Sequence, residues 1–171
     1  DEVIVFEDEA GFSLHPKLGR TWCKRGAGRQ PVVWTRSQHH QRLNVFGWVD
    51  PVHGHHGMIR CAKGNTDGFL MFLSHLVRRC KYKGIQLWVD RARWHKGPRI
   101  DRFCKEHEQV HLNYIPAYHP ELNLQEILWR TMRYQETTNT YFESFEQLTI
   151  SVFKRSQRWK PATIKSLCHV T

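Results

Sequence analysis

The chain has 171 residues, with 26 Lys and Arg against 16 Asp and Glu, a net charge of +10, 40% hydrophobic and 12% aromatic residues. That is apolar material for one ordinary domain, able to remove roughly 70% of its unfolded surface from water, which argues against intrinsic disorder. No uninterrupted apolar run approaches the ~18 residues that a bilayer-crossing helix needs, and Asp1-Glu2 is the reverse of a signal peptide's basic start. The five cysteines are scattered, odd in number and never spaced Cys-x-x-Cys, a usage that suits a reducing compartment rather than a disulfide framework or a cysteine zinc site. With no initiator methionine, the sequence reads as a fragment.

Val3-Ile4-Val5-Phe6 is a β-branched and aromatic run that leads into Glu7-Asp8-Glu9, which predicts a buried strand delivering carboxylates to its carboxyl end. Gly19 to Gly26 alternates like an outer strand, and Leu43 to Val49 predicts another, so the three suit an antiparallel meander. Lys24 to Gln30 reads as a turn. After a His- and Gly-rich loop from Asp50 to Gly57, Met58 to Cys61 predicts one more strand. Phe69, Phe72, Leu73, Leu76, Val77 and Cys80 then fall on one helical stripe, with Asn65 or Thr66 as cap, basic residues at the far end and Gly84 as its close.

Ile85 to Val89 predicts a strand running straight into Asp90, and Pro98 suits the first turn of a helix carrying Ile100, Phe103, Cys104 and His107. Val110 to Ile115 is a further strand, halted by Pro116 and Pro120. Leu124, Ile127, Leu128 and Thr131 form a helical stripe, Ser144-x-x-Gln147 has capping-box spacing ahead of another, and Ala162 to Leu167 closes the chain as a helix. This order predicts a mixed α/β sheet flanked by helices.

Asp8 and Asp90 each stand at the end of an apolar strand, where open α/β sheets place their ligand sites, and Glu126 lies in the first turns of a helix. Three carboxylates on three elements of a basic protein have a clear use, because together they suit hard divalent cations such as Mg²⁺. Two such ions roughly 4 Å apart activate an attacking oxygen and stabilise a departing one in phosphodiester displacement, while the surrounding Lys and Arg bind the polyanion. An acid at a strand end is also a common turn former or cap, so placement by itself leaves a structural role open.

Tyr114 to Trp129, reading YIPAYHPELNLQEILW, resembles the Pro-x-Tyr-Ser-Pro-Asp-Leu-Asn-Pro-Ile-Glu-x-x-Trp signature of mariner-type transposases and their bacterial insertion-sequence relatives. Phe6 to Phe12, Gly19 to Trp22 with Gly26, and Leu87 to Asp90 with His95 are similar to other segments of that family, and the likeness runs from Val3 to Tyr134. The resemblance implies a ribonuclease H-like DDE catalytic domain with a mixed five-stranded sheet, spanning residues 1–171 without an amino-terminal helix-turn-helix region. It further implies Asp8, Asp90 and Glu126 as the metal-binding catalytic triad, two Mg²⁺ ions per site with Mn²⁺ as a substitute, and cut-and-paste DNA transposition. Transposon ends and target DNA would be partners, commonly at a TA step, and the full-length protein would act as a homodimer at the bacterial nucleoid. Leu124, His119 and Arg91 depart from the usual Pro, Ser and Asn, and 35 residues separate Asp90 from Glu126, one more than usual, which leaves Glu121 as a rival third ligand. A catalytically decayed DNA-binding module, and a ribonuclease H-like nuclease acting on another nucleic acid, are the competing readings.

His95, Trp94, Arg91, Arg130 and Arg133 are candidate DNA contacts, each set against a structural role on a helix start or a solvated helix face. Trp88 and Trp129 suit the core. His53-x-His55-His56 reads as a solvated loop rather than a zinc cluster.

Overall fold

The computed structural model describes residues 2–26, 28, 30–35, 41–81 and 84–170. The backbone divides into two compact units: residues 1–10, 44–129 and 159–171 in the first, residues 11–43 and 130–158 in the second. The first is built on strands β1 (Glu2–Ser13), β2 (Arg42–Asp50), β3 (His55–Cys61), β4 (Gly84–Val89) and β5 (Val110–Tyr114), ordered β3-β2-β1-β4-β5. β2 and β3 pair antiparallel, whereas β4 runs parallel to both β1 and β5. The predicted mixed five-stranded sheet is therefore present.

Crossover helices account for the parallel half, since parallel neighbours need a long return connection. Helix α1 (Thr66–Arg79) starts where Asn65 Oδ1 accepts the Gly68 amide at 2.9 Å, so of the two predicted caps Asn65 is the one used. Its stripe of Phe69, Phe72, Leu73 and Leu76 is fully buried beneath Val3, Val5, Ile85, Leu87 and Val89, each such side chain contributing about 1.5–3 kcal/mol. Helix α2 (Pro98–Glu106) begins at Pro98 and buries Ile100 and Phe103. Helix α3 (Leu124–Met132) packs on β2 where Gly47 leaves room, because a Cβ there would come within 2.4 Å of the Trp129 ring and 2.7 Å of Gln125. Helix α5 (Pro161–Leu167) completes this unit.

Two expectations are corrected here. α1 ends at Cys80, and Gly84 opens β4 instead of closing the helix, at a point where a Cβ would meet the Glu2 side chain at 2.8 Å. The acids of β1 do not end their strand either, since it continues to Ser13. They stand at the edge of the parallel region nonetheless: the last β1–β4 pair is Phe6 with Trp88, and Asp8 and Asp90 each lie two residues beyond it.

In the second unit, residues 19–26 do not form the expected strand. All are exposed, Trp22 completely, so their alternation has no face to bury. Gly19 is tied instead to Asn139, donating to Oδ1 at 2.9 Å and accepting from Nδ2 at 3.1 Å, beside a bridge between Lys17 and Thr138. Ala27 and Arg29, within the predicted Lys24–Gln30 turn, lie outside the described residues. Helix α4 (Phe145–Arg158) is capped by Ser144, whose Oγ accepts the Gln147 amide at 3.1 Å. The Gln147 side chain reaches back to the Glu143 amide, one residue earlier than the capping-box spacing implies. Glu136 accepts from Ser151 and Arg155 and so fixes α4 to the π-helical turn Arg133–Thr137.

Candidate active site

Strand alternation divides the run Glu7-Asp8-Glu9 between two faces, because successive side chains point to opposite sides of a sheet. Asp8 shares its face with Phe6, which stacks on Trp88 at 6.5 Å, while Glu7 follows the buried Val3 and Val5. Asp8, Asp90 and Glu126 all line one open cleft of about 290 Å³, together with Arg91, Asn123 and the Pro116–Pro120 turn. Of the two rival third carboxylates, Glu126 lines this cleft. Glu121 is largely exposed and pairs with His119 at 2.7 Å, a hydrogen bond that lowers its pKa.

Asn123 sets Glu126 against β1. Its Nδ2 donates to the Glu7 carbonyl at 2.8 Å, its Oδ1 accepts the Gln125 amide at 3.1 Å, and its carbonyl accepts the Glu126 amide at 3.0 Å. One buried side chain thus joins the first turn of α3 to the residue preceding Asp8. The motif that contains Asn123 is evident in the sequence, but its role as a staple is visible only when residues 116 positions apart meet.

The cleft is electrostatically unbalanced. Burial, and then the nearby charges of Glu126, Glu9 and Asp90, push Asp8 up to about 8. Its Oδ2 is buried and has no hydrogen-bond partner among the described residues. A buried, unsatisfied carboxylate oxygen among other carboxylates is an arrangement that a hard cation would relieve, so the donor set fits Mg²⁺ or Mn²⁺. Arg91 is exposed at the cleft, its Nε donating to the Ile115 carbonyl at 3.3 Å.

The opposite face holds a second set of ionisable groups. Glu7 is fully buried, Glu9 partly so, and His95 lies between them with Nε2 at 3.6 Å from Glu7 and 3.3 Å from Glu9. These three could in principle share a metal ion by position. Burial works to lower the His95 pKa, but its close pairing with the Asp90 and Glu9 carboxylates, with the charge of Glu7, raises it to about 10. Burial and the Glu9 charge raise Glu7 well above the carboxylate range. Asp90 is held low, chiefly by its His95 hydrogen bond.

The family profile described as "DDE superfamily endonuclease" matches residues 3–149. The chain is a member of that family. It is 31% identical over 149 residues to the "Insertion element IS630 uncharacterized 39 kDa protein" of Shigella sonnei, a match covering 85% of this chain and 42% of the relative. Its fold is similar to a pre-cleavage Mos1 transpososome (TM-score 0.73, 16% identity) and a Mos1 paired-end complex with Mg (0.71, 18%), covering 97% and 98% of this chain and 52% and 51% of those chains. The Mos1 mariner catalytic domain matches at 0.66 and 14% identity, covering 97% of this chain and 75% of that one. The expected ribonuclease H-like class is thereby shown, as is the transposase resemblance. The chain spans less than half the length of its curated relative and about half that of the longer Mos1 chains.

The candidate DNA contacts of this chain separate by environment. Arg91 is exposed at the cleft and Arg130 is exposed on α3. Arg133 is partly buried, its guanidinium 5.7 Å from the centre of the Phe12 ring. Trp94 is partly buried and donates Nε1 to Glu9 at 2.5 Å. His95, a candidate DNA contact set against a surface position at a helix start, is fully buried and packs on Phe69 at 4.3 Å, with Glu7, Glu9 and Asp90 around its ring. Trp129 is core as predicted, while Trp88 is half-buried against Phe6.

Glu7 and Glu9 are site residues that the sequence reading passed over, although the buried odd positions Val3 and Val5 foretell their side. Asp50 was missed likewise. Its buried carboxylate takes the Val52 and His53 amides and pairs with His53 at 2.8 Å, so residues 51–54 form a turn organised by the acid before it, while His55 and His56, expected in the loop, open β3 instead. No helix among the described residues is long and apolar enough to cross a membrane.

Proposed function

We propose that this DDE endonuclease is the catalytic part of a transposase that cuts DNA strands at the ends of an insertion element and joins them to target DNA. The observation that carries this reading is the convergence of Asp8 from within β1, Asp90 just past the end of β4 and Glu126 from α3 on one open cleft. The Mos1 relatives, named for paired-end, Mg-containing and strand-transfer complexes, support it by likeness of fold.

Asp8, Asp90 and Glu126 would hold the divalent ions, two per site. When bound, such ions supply charge neutralisation for an in-line phosphodiester displacement and activation of the attacking oxygen. The remaining contributions come from the chain itself. Asn123 sets the distance between the helix and strand carboxylates. Arg91, anchored by its Nε, offers its terminal nitrogens to a phosphate at the rim, and the net charge of +10 draws the polyanion in, with the salt dependence that counterion release imposes. Asp8 gives up its proton as cations bind, so metal affinity rises as the pH approaches 8. We further propose that the full-length protein acts as a homodimer on paired DNA ends.

The test is Mg²⁺- or Mn²⁺-dependent nicking of DNA carrying the element's ends by the full-length enzyme. Asp8→Asn, Asp90→Asn and Glu126→Gln are each expected to lower the rate by about 10³-fold, the scale seen when one preorganised transition-state group is removed. Full activity in any one of them removes that residue from the triad.

A further inference from the structure

Asp90 stands just beyond the end of β4, on a connecting segment, with a side chain 53% exposed. A carboxylate so placed has rotamer freedom that a cation site cannot tolerate, since ligating groups must be held to within a few tenths of an ångström. Two groups meet its Oδ1: the Ala92 amide donates to it at 2.8 Å, and His95 Nδ1, which also reaches the Asp90 backbone carbonyl at 3.2 Å, pairs with it at 2.9 Å. Oδ2 is thereby left to take a ligand.

The imidazole is itself fixed on every side. Its other nitrogen faces Glu9 and Glu7, its ring lies against Phe69 at 4.3 Å, and Trp94 Nε1 fixes the Glu9 oxygen. Its backbone is held as well, the amide by the Ala92 carbonyl at 3.1 Å and the carbonyl by the Tyr114 hydroxyl at 3.0 Å. Glu7 is fully buried with neither carboxyl oxygen hydrogen-bonded among the described residues, and His95 Nε2 stands 3.6 Å from its Oε2. A buried acid with unsatisfied oxygens is costly to keep unless it acts through something it holds.

We propose that His95 is a positioning residue for Asp90, a brace that Glu7 and Glu9 hold from the far face of the sheet and that fixes one Asp90 oxygen so that the other is presented to a divalent cation. The proposal rests on the reading of Asp90 as a cation ligand. Outer partners of metal ligands commonly change affinity by about 10–100-fold when removed.

The test is Mn²⁺ binding to the 171-residue chain, followed by electron paramagnetic resonance of the bound ion, with the thermal midpoint in EDTA measured in parallel. His95→Phe keeps a ring against Phe69 and deletes both nitrogens, and its Mn²⁺ affinity should fall at least tenfold. His95→Asn, whose amide can stand where Nδ1 stands, should recover most of that loss. Should His95→Phe fail to fold, Glu7→Gln/His95→Phe removes the stranded buried acid and carries the same expectation against Glu7→Gln alone. A lowered midpoint with unchanged Mn²⁺ affinity and spectrum in the folded variants would mean a merely structural histidine and would overturn the proposal. So would Mn²⁺ binding that survives Asp8→Asn and Asp90→Asn but is lost with His95, because the cluster would then hold the ion itself. Absence of any Mn²⁺ binding by the unaltered chain would instead overturn the reading of the cleft beneath it.

Discussion

The two faces of β1 carry acids for opposite ends. On the cleft side, burial and the charges of Glu126, Glu9 and Asp90 raise Asp8 to about 8, and its Oδ2 has no hydrogen-bond partner among the described residues. On the far side, Glu7 and Glu9 are just as crowded, but the His95 ring stands between them and Asp90, and an indole N–H donates to Glu9. The far cluster carries a basic partner of its own, whereas Asp8 is the acid that a bound cation would relieve. That contrast lies within three consecutive residues and follows from nothing more than the two-residue period of a strand.

The contrast gives graded ways to break it. The largest effect expected on stability comes from the staple between the two faces: Asn123→Ala leaves the Glu7 carbonyl without its side-chain donor and should cost about 1–3 kcal/mol, read as a shift in urea midpoint. Asp8→Asn should have the opposite sign. In EDTA it relieves a carboxylate held above its ordinary range and should raise the thermal midpoint by about 2–4 °C, the shift that roughly 1 kcal/mol produces in a chain of this size.

The pH dependence sharpens the same point. An acid whose pKa is raised by folding binds more protons in the native state than in the unfolded one, so the metal-free protein should lose stability as pH climbs from about 4 to about 8. Asp8→Asn should flatten that slope in a series of thermal melts. The smallest effect is expected at Glu121. It pairs only with His119 at the surface, so Glu121→Gln should change stability by less than about 0.5 kcal/mol and leave nicking within twofold.

Elements whose signals are local were legible in the sequence. Asn65 capping α1, Pro98 opening α2, the β4 run into Asp90 and the long motif around Glu126 depend on neighbours within a few residues, and each is found where expected. The failures are cases where a distant partner decides. Residues 19–26 alternate like a strand yet find no strand to pair with, and hydrogen bonds from Asn139 hold Gly19 instead. His95 reads as a DNA contact or a surface histidine, because Glu7 and Glu9, the acids that surround it in its buried place, lie nearly ninety positions earlier. The site divides in the same way. The acids lining the cleft were legible through the motif and the apolar runs that precede Asp8 and Asp90, whereas the Asn123 staple and the place of His95 required the register of β1 against β4 and the docking of α3.

If Asp8, Asp90 and Glu126 hold divalent cations in a common cleft, anomalous diffraction from crystals of this chain grown with Mn²⁺ should reveal it. A manganese peak is expected within coordination distance of an Asp8 oxygen and of an oxygen of Asp90 or Glu126. Manganese found only between Glu7, Glu9 and His95, or bound to none of these acids, would contradict it.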